Sequence, residues 1–111
     1  MKIIKRIDFL KLPENTVFSE YEPHWFGPLM IKGETRGNDW FEQDIADAIA
    51  IAAGDEYCDI LTRAKDAGES VGMNFDVENR NGLYDENDRL YAVWEEQDVR
   101  HLINRLQRCC P

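Results

Sequence analysis

The chain has 111 residues, 43% of them hydrophobic and 32% charged, so it can fold as one domain but not as two independent cores. Thirteen lysines and arginines oppose 22 acids, and the net charge of -9 argues against a protein that coats nucleic acid. No apolar run approaches the roughly 20 residues that span a bilayer, and residues 1–10 are too charged for a signal peptide. We therefore expect a single domain, residues 1–111, in the cytoplasm.

Short strands separated by turns are predicted for the first half of the chain. The expected strands cover residues 1–6, 17–21, 29–32 and 40–45, and Asp8 is expected to cap a short helix over 9–12. We expect Trp25, Phe26 and Pro28 in a turn, and residues 33–38, which contain two glycines, in a loop. Residues 45–53 are rich in Ala and Ile, and their periodicity does not separate a buried helix from a strand.

Helices and strands alternate in the second half. A helix is predicted from Asp55 to a stop at Gly68, and its apolar face would bury Tyr57, Cys58, Leu61 and Ala64. The alternation of apolar and polar residues over 71–77 predicts the best strand of the chain, paired with a strand at 90–94 across a loop.

A last helix is predicted from about Gln97 to Arg108. Its apolar stripe consists of Val99, Leu102, Ile103 and Leu106. Together these elements predict an α+β fold: a small antiparallel sheet with two main helices on one face, the last helix at the C-terminus.

No short catalytic or metal-binding motif stands out. Three cysteines, two of them adjacent at the C-terminus, are an odd number, which is typical of reduced cytosolic thiols. His24 and His101 are far apart and no CxxC is present, so we expect no zinc site, and an EF-hand register starting at Asp76 or Asp85 lacks the required glycine. Neither phosphate-binding glycine loops nor a catalytic set is found, so the residues assign no cofactor, and a small enzyme such as a cyclic-nucleotide hydrolase stays open without a residue set to support it. The prediction that the protein is not an enzyme comes from the family resemblance given below.

Charge is distributed unevenly along the chain. Residues 38–111 carry seven basic groups and 17 acids, yet residues 100–111 contain three arginines, one histidine and no acid. This basic end either complements the dipole of the last helix or forms a local anion site.

For the anion site, Arg105 with His101 one turn earlier could hold a phosphate, and Arg108 lies on the same face. Phe75 or Trp94 could stack on a base, although each is also a candidate core residue. Asn81 or Asn87 could supply an amide.

Four stretches of the chain carry a family resemblance: MKIIKRIDFLKLPENTVFSEYEP, MIKGETRGNDWFEQDI, NRNGLYDENDRLYAVWEEQDV and HLINRLQR. Together they resemble the phage anti-defence sponges that counter bacterial Thoeris immunity. The resemblance implies a protein that sequesters cyclic ADP-ribose isomers without cleaving them. It also implies a homo-oligomer built from dimers, with a hexamer as the expected size, and a signal buried between subunits. Some members of the family hold cyclic oligonucleotides at a second site.

The resemblance also implies roles for individual residues. Phe75 would stack on the adenine, Asn81 or Asn87 would hydrogen-bond, and basic residues of the last helix would hold the phosphates. His101 stands where the family motif favours an arginine. Candidates for the second site are Lys32, Arg36 and Asn38.

An alternative hypothesis rests on charge alone. The net charge of -10 over residues 38–111 could imitate a phosphate backbone, so the chain could be an acidic phage interaction protein that inhibits a host nuclease or repressor. Neither hypothesis predicts binding to duplex nucleic acid or to a membrane.

Overall fold

A computed structural model describes residues 1–50, 56–82 and 88–111. The strands within these residues are β1 (Lys2–Lys5), β2 (Thr16–Glu22), β3 (Trp25–Phe26), β4 (Met30–Arg36), β5 (Asp39–Asp44), β6 (Asn79–Arg80) and β7 (Leu90–Val93). The helices are α1 (Arg6–Phe9), α2 (Tyr57–Ala67) and α3 (Glu96–Gln107). The predicted α+β fold with a C-terminal helix is confirmed. None of the described helices is long and apolar enough to cross a membrane.

One antiparallel sheet contains all of the described strands. Its order is β1-β7-β2-β4-β5-β6, and β3 pairs with β2 outside this path. The late strand β7 lies between β1 and β2, so that Ala92 pairs with both Ile3 and Ser19. Strand β6 forms the opposite edge, where Arg80 pairs with Phe41. The sheet therefore separates the strand that leads into α3 from the residues around β6.

Four aromatic side chains form the centre of the core. Phe9, Phe18, Trp40 and Tyr91 are each fully buried. Phe9 stacks on Tyr91 with ring centroids 4.3 Å apart and meets Trp40 nearly edge-on at 4.8 Å. Burial of one such ring contributes about 2–3 kcal/mol. Because α1 supplies Phe9, this four-residue helix covers the core, whereas neither α2 nor α3 contains a buried residue.

Polar groups are buried beside the aromatic cluster. The Arg6 guanidinium lies 4.6 Å from the centre of the Trp40 ring and donates to the Tyr91 hydroxyl at 3.1 Å and to the Asn38 carbonyl at 2.6 Å. The carboxylate of Asp39 accepts from Arg80 at 2.8 Å and from the Gly82 N–H at 3.0 Å. Buried charges need such partners, and these bonds tie α1 and β6 to the centre of the sheet.

Several predicted elements are confirmed with small shifts. The strands predicted at 1–6, 17–21, 40–45 and 90–94 correspond to β1, β2, β5 and β7, and the last helix corresponds to α3. Gly68 ends α2 in the left-handed conformation, with φ of 68°, and donates to the Ala64 carbonyl. The predicted helix start at Asp55 lies outside the described residues, as does part of the ambiguous segment 45–53.

The loop predicted for residues 33–38 is wrong. Strand β4 runs through Gly33 to Arg36, and only Gly37 and Asn38 form the turn into β5. An irregularity in pairing between Lys32 and Thr35 accommodates the polar, glycine-containing sequence without ending the strand. The aromatic turn predicted around Trp25 is likewise a short strand, β3, paired with the end of β2.

The strand predicted over residues 71–77 is also wrong. This segment forms a single bridge, from Met73 to Ile49, followed by a turn at 75–76. This segment cannot pair with β7, its expected partner, because β1 and β2 already pair with the two sides of β7. As a result Met73, Phe75 and Val77 remain about half exposed.

The predicted apolar face of the first main helix does not enter the core. Cys58 is exposed and Leu61 retains 37% of its surface. Helix α2 forms as its apolar periodicity predicts. Among the described residues, however, its apolar face has little to pack against.

Candidate functional site

Helix α3 begins at a well-formed cap. The Glu95 side chain accepts from the third helical N–H, and the Asp98 carboxylate accepts from the Glu95 N–H at 2.9 Å. The Met1 ammonium lies 2.7 Å from Asp98 and 3.2 Å from Glu95. The hydrogen bond from this ammonium, followed by that from the Glu95 N–H, lowers the pKa of Asp98. These contacts fix the start of α3 beside β1.

The C-terminal half of α3 projects away from this cap. Of the apolar stripe, Ile103 is 49% exposed and Leu106 is 52% exposed. The open, largely apolar surface of this half consists of Ile103, Leu106, Gln107 and Cys110, all of them in or just after the helix. Among the described residues, no other element covers this part of the stripe.

The basic face of α3, which we define as His101, Arg105 and Arg108, is exposed as predicted. The Arg105 guanidinium lies 3.7 Å from the sulfur of Cys109, and neither Arg105 nor Arg108 forms an ion pair within residues 1–50, 56–82 and 88–111. By contrast, Arg100 on the same helix is paired with Glu96 at 2.6 Å. The two arginines of the basic face can therefore receive an anion without first breaking an ion pair.

One end of the basic face borders a shallow groove. His101 lines a depression of about 450 Å³ together with Met1, Trp94, Asp98 and Leu102. Trp94 is half-buried here, so part of its side chain is accessible in the groove and the rest is covered by the protein. The groove combines an aromatic wall, a histidine and a carboxylate, but its Asp98 would oppose a phosphate placed deep inside it.

The residues predicted to contact a base lie at the other edge of the sheet. Phe75 is 51% exposed in the turn before β6. Asn81 directly follows β6, where its amide donates to Glu42 at 3.2 Å and its N–H donates to the Trp40 carbonyl at 2.9 Å. Burial raises the pKa of Glu42, although Asn81 and Trp40 both donate to its carboxyl group. Asn87 lies outside the described residues.

The two halves of the predicted site are not brought together in one chain. From β7, which leads into α3, the order passes through β2, β4 and β5 before reaching β6. At about 4.8 Å per strand these four steps span about 19 Å. The elements that carry Phe75 and Arg105 thus adjoin strands that are well separated in the sheet.

The residues predicted for a second site have different environments. Lys32 is buried, and its ammonium donates to the Leu12 carbonyl at 2.9 Å, the Gly33 carbonyl at 3.1 Å and the Thr35 hydroxyl at 2.6 Å. Burial lowers the pKa of Lys32. Because its ammonium is committed to these acceptors, Lys32 does not fit the role expected for it at the second site, and the sequence did not indicate its burial.

Arg36 and Asn38 flank the turn between β4 and β5 and are both exposed. Arg36 pairs with Glu34 at 3.2 Å, and Asn38 gives its carbonyl to Arg6. They remain close to each other, but an anion at Arg36 would compete with Glu34.

Within the described parts of the chain, no group of three His, Cys, Asp or Glu side chains is arranged to hold a metal ion. No protein-family model, curated protein or solved structure matches this chain.

Proposed function

We propose that this protein is a phage anti-defence sponge that binds a cyclic ADP-ribose isomer and withholds it from Thoeris-type immunity without cleaving it. Cyclic oligonucleotides are proposed as further ligands of a second site. The proposal rests on the resemblance of the four stretches quoted above and on the exposed, amphipathic and basic α3.

The observation that carries the proposal is the basic face of α3 on a strongly acidic chain. Arg105 and Arg108 project from a helix whose adjacent apolar residues are also exposed. Guanidinium groups bind phosphate oxygens in a bidentate manner, and they bind most strongly where water is excluded. Exposed Ile103 and Leu106 beside them offer the apolar surface with which a second subunit would exclude that water.

A pocket shared between subunits explains why its parts are separated in one chain. In the proposed arrangement, α3 of one subunit meets the β6 edge of another, so that Phe75 and Asn81 face the phosphate-binding arginines. Phe75 is exposed enough to stack on a base, and Asn81 lies on the same edge. Such a shared pocket lets a 111-residue chain enclose a ligand that a single copy leaves open.

Sequestration needs affinity but no chemistry. A dissociation constant of about 1 nM corresponds to about -12 kcal/mol of binding free energy. A stacked base contributes about 1–3 kcal/mol, and charge-assisted phosphate bonds in a buried pocket contribute on a similar scale. In the proposed complex, burial of the remaining ligand surface between subunits supplies the rest of this free energy.

The test is capture followed by release. The purified protein is incubated with the signal from cells that express a TIR-domain synthase, washed, heated, and the released molecule is identified by mass spectrometry. We expect intact cyclic ADP-ribose isomer from the wild type. We also expect a loss of at least about 100-fold in affinity for Arg105→Ala, because a charged partner is removed from a buried phosphate.

Arg100→Ala is the matched control, because Arg100 is an arginine of the same helix that already pairs with Glu96. It should capture ligand as the wild type does. Release of a linear product would indicate an enzyme. Salt-sensitive co-purification of a host protein, with no nucleotide captured, would instead support the acidic interaction protein.

A further inference from the structure

A small cavity lies where β5 ends, next to α2 and to the segment before β6. Its volume is about 200 Å³, and its polar lining consists of Gln43, Asp44, Asp47 and Asn79. At about 30 Å³ per water molecule, this volume accommodates roughly six waters or one small organic molecule. The cavity is unrelated to the basic face of α3.

The Gln43 side chain points to a hydrogen-bond donor as the ligand. Gln43 is only 5% exposed, and its Nε2 donates to the Asp44 carbonyl at 2.6 Å. This bond fixes the orientation of the amide, because the reverse orientation would place two oxygens against each other. Its Oε1 is buried and finds no hydrogen-bond partner among the described residues. Since buried acceptors are nearly always paired, Oε1 calls for a donor.

The charged residues that line the cavity favour a donor that carries a positive charge. Asp44 and Asp47 supply carboxylates, and the described lining contains no lysine, arginine or histidine. One Asp44 oxygen accepts the Ala46 N–H at 2.9 Å, and its second oxygen is not used by that bond. A cation is favoured here, and an anion such as a phosphate is repelled.

The remaining walls are apolar. Ile49, Val77 and the ring of Tyr57 line the same cavity. A side of this kind accommodates an alkyl chain, and an aromatic ring also attracts a cation. We propose that this cavity binds a small primary alkylammonium ion, whose three N–H donors reach Gln43 Oε1 and the carboxylates of Asp44 and Asp47.

The test is an NMR titration of the full ¹⁵N-labelled chain with n-butylammonium chloride, and sodium n-butyrate is the probe of matched size and opposite charge. Binding should shift the Gln43 side-chain amide and the backbone amides of Ala48 and Ile49 saturably. The expected dissociation constant is about 1 mM or tighter. Butyrate should leave these signals unchanged.

Two variants test the assigned contacts. Gln43→Met removes the acceptor with little change in shape, and Asp47→Asn removes one charge at an exposed position; each should weaken binding about tenfold. Asp59→Asn, an exposed position on α2 outside the cavity lining, should bind as the wild type does.

The proposal is overturned if the shifts do not saturate, if butyrate produces the same shifts, or if Asp47→Asn binds n-butylammonium as tightly as the wild type. Because Asp47 is exposed, that last result is informative even if Gln43→Met fails to fold. None of these results depends on cyclic nucleotide capture, so this site and the proposed sponge function fail or stand separately.

Discussion

At the scale of single residues, the fold depends on buried charges that have hydrogen-bond partners, and Asp39 is one of them. Asp39 is fully buried and accepts from Arg80 and Gly82, which joins β5 to the chain beyond β6. Burial alone would raise the pKa of Asp39, but hydrogen bonds from Trp40, Arg80 and Gly82 outweigh it and hold that pKa below its usual value. The ionised form is therefore favoured by folding.

Asp39→Asn should lower the free energy of unfolding by about 2 kcal/mol at pH 7, because hydrogen bonds to a buried charge are lost. The loss is moderated because the Arg80 side chain is about half exposed, and water screens its interaction with Asp39. A group with a depressed folded pKa stabilises the fold above its unfolded pKa and loses that contribution as the pH falls through its folded pKa. Urea unfolding should thus show the gap between wild type and variant narrowing below about pH 4. The exposed Asp59→Asn is the control, and a gap that stays constant down to pH 2 would contradict this role for Asp39.

The burial and hydrogen-bond partners of individual side chains were the features of the structure that the sequence predicted least well. The sequence indicates that Lys32 is basic and lies near Arg36, but it carries no signal that the ammonium is buried against two carbonyls and a hydroxyl. A single glutamine in a strand gives no pattern, so the sequence does not distinguish Gln43 from surface residues. By contrast, the exposure of Arg105 and Arg108 was predictable, because helical periodicity separates them from the apolar stripe.

At the scale of elements, several strands in the first half of the chain and the final helix were predictable. Strands β1, β2 and β5 combine short apolar runs with turn residues, and α3 has both a cap and a periodic stripe. The segment 71–77 shows the limit of periodicity, because an alternating pattern describes a possible strand but not the availability of a partner. The position of β7 between β1 and β2 is a long-range pairing that local patterns do not encode.

The half-exposed apolar stripe makes a prediction about α3. Leu106→Glu should weaken self-association at least about tenfold, because it introduces a charge where we propose that subunits meet. The isolated chain should keep its thermal stability, since Leu106 is 52% exposed in one copy. Sedimentation equilibrium measures the first effect and thermal unfolding under monomeric conditions measures the second.

Gln97→Glu adds the same charge to the same helix outside the stripe and is the matched control for Leu106→Glu. If both variants associate as the wild type does, the stripe is not part of a subunit interface. If Leu106→Glu unfolds the isolated chain, the stripe has an intramolecular role instead.

At the scale of the whole molecule, shape and charge both bear on the proposed association. The radius of gyration is 15.9 Å, compared with about 13 Å for a compact domain of this length, which is consistent with a projecting helix. Residues 38–111 carry a net charge of -10, whereas residues 100–111 contain three arginines and no acid. A basic helix end that meets the acidic surface of a second copy offsets the repulsion between two chains of charge -9.

The central claim is that one ligand pocket combines α3 of one subunit with the β6 edge of another. It is tested most directly by mixing two inactive variants, Arg105→Ala and Phe75→Ala, through co-expression. Each variant alone should fail to capture the cyclic nucleotide, although both side chains are exposed and the fold should be kept. In a symmetric dimer, random mixing creates some pockets with both native halves, so capture should recover to about a quarter of the wild-type capacity. Recovery at that level is the predicted result, and no recovery in mixed oligomers of confirmed composition would contradict a pocket shared between subunits.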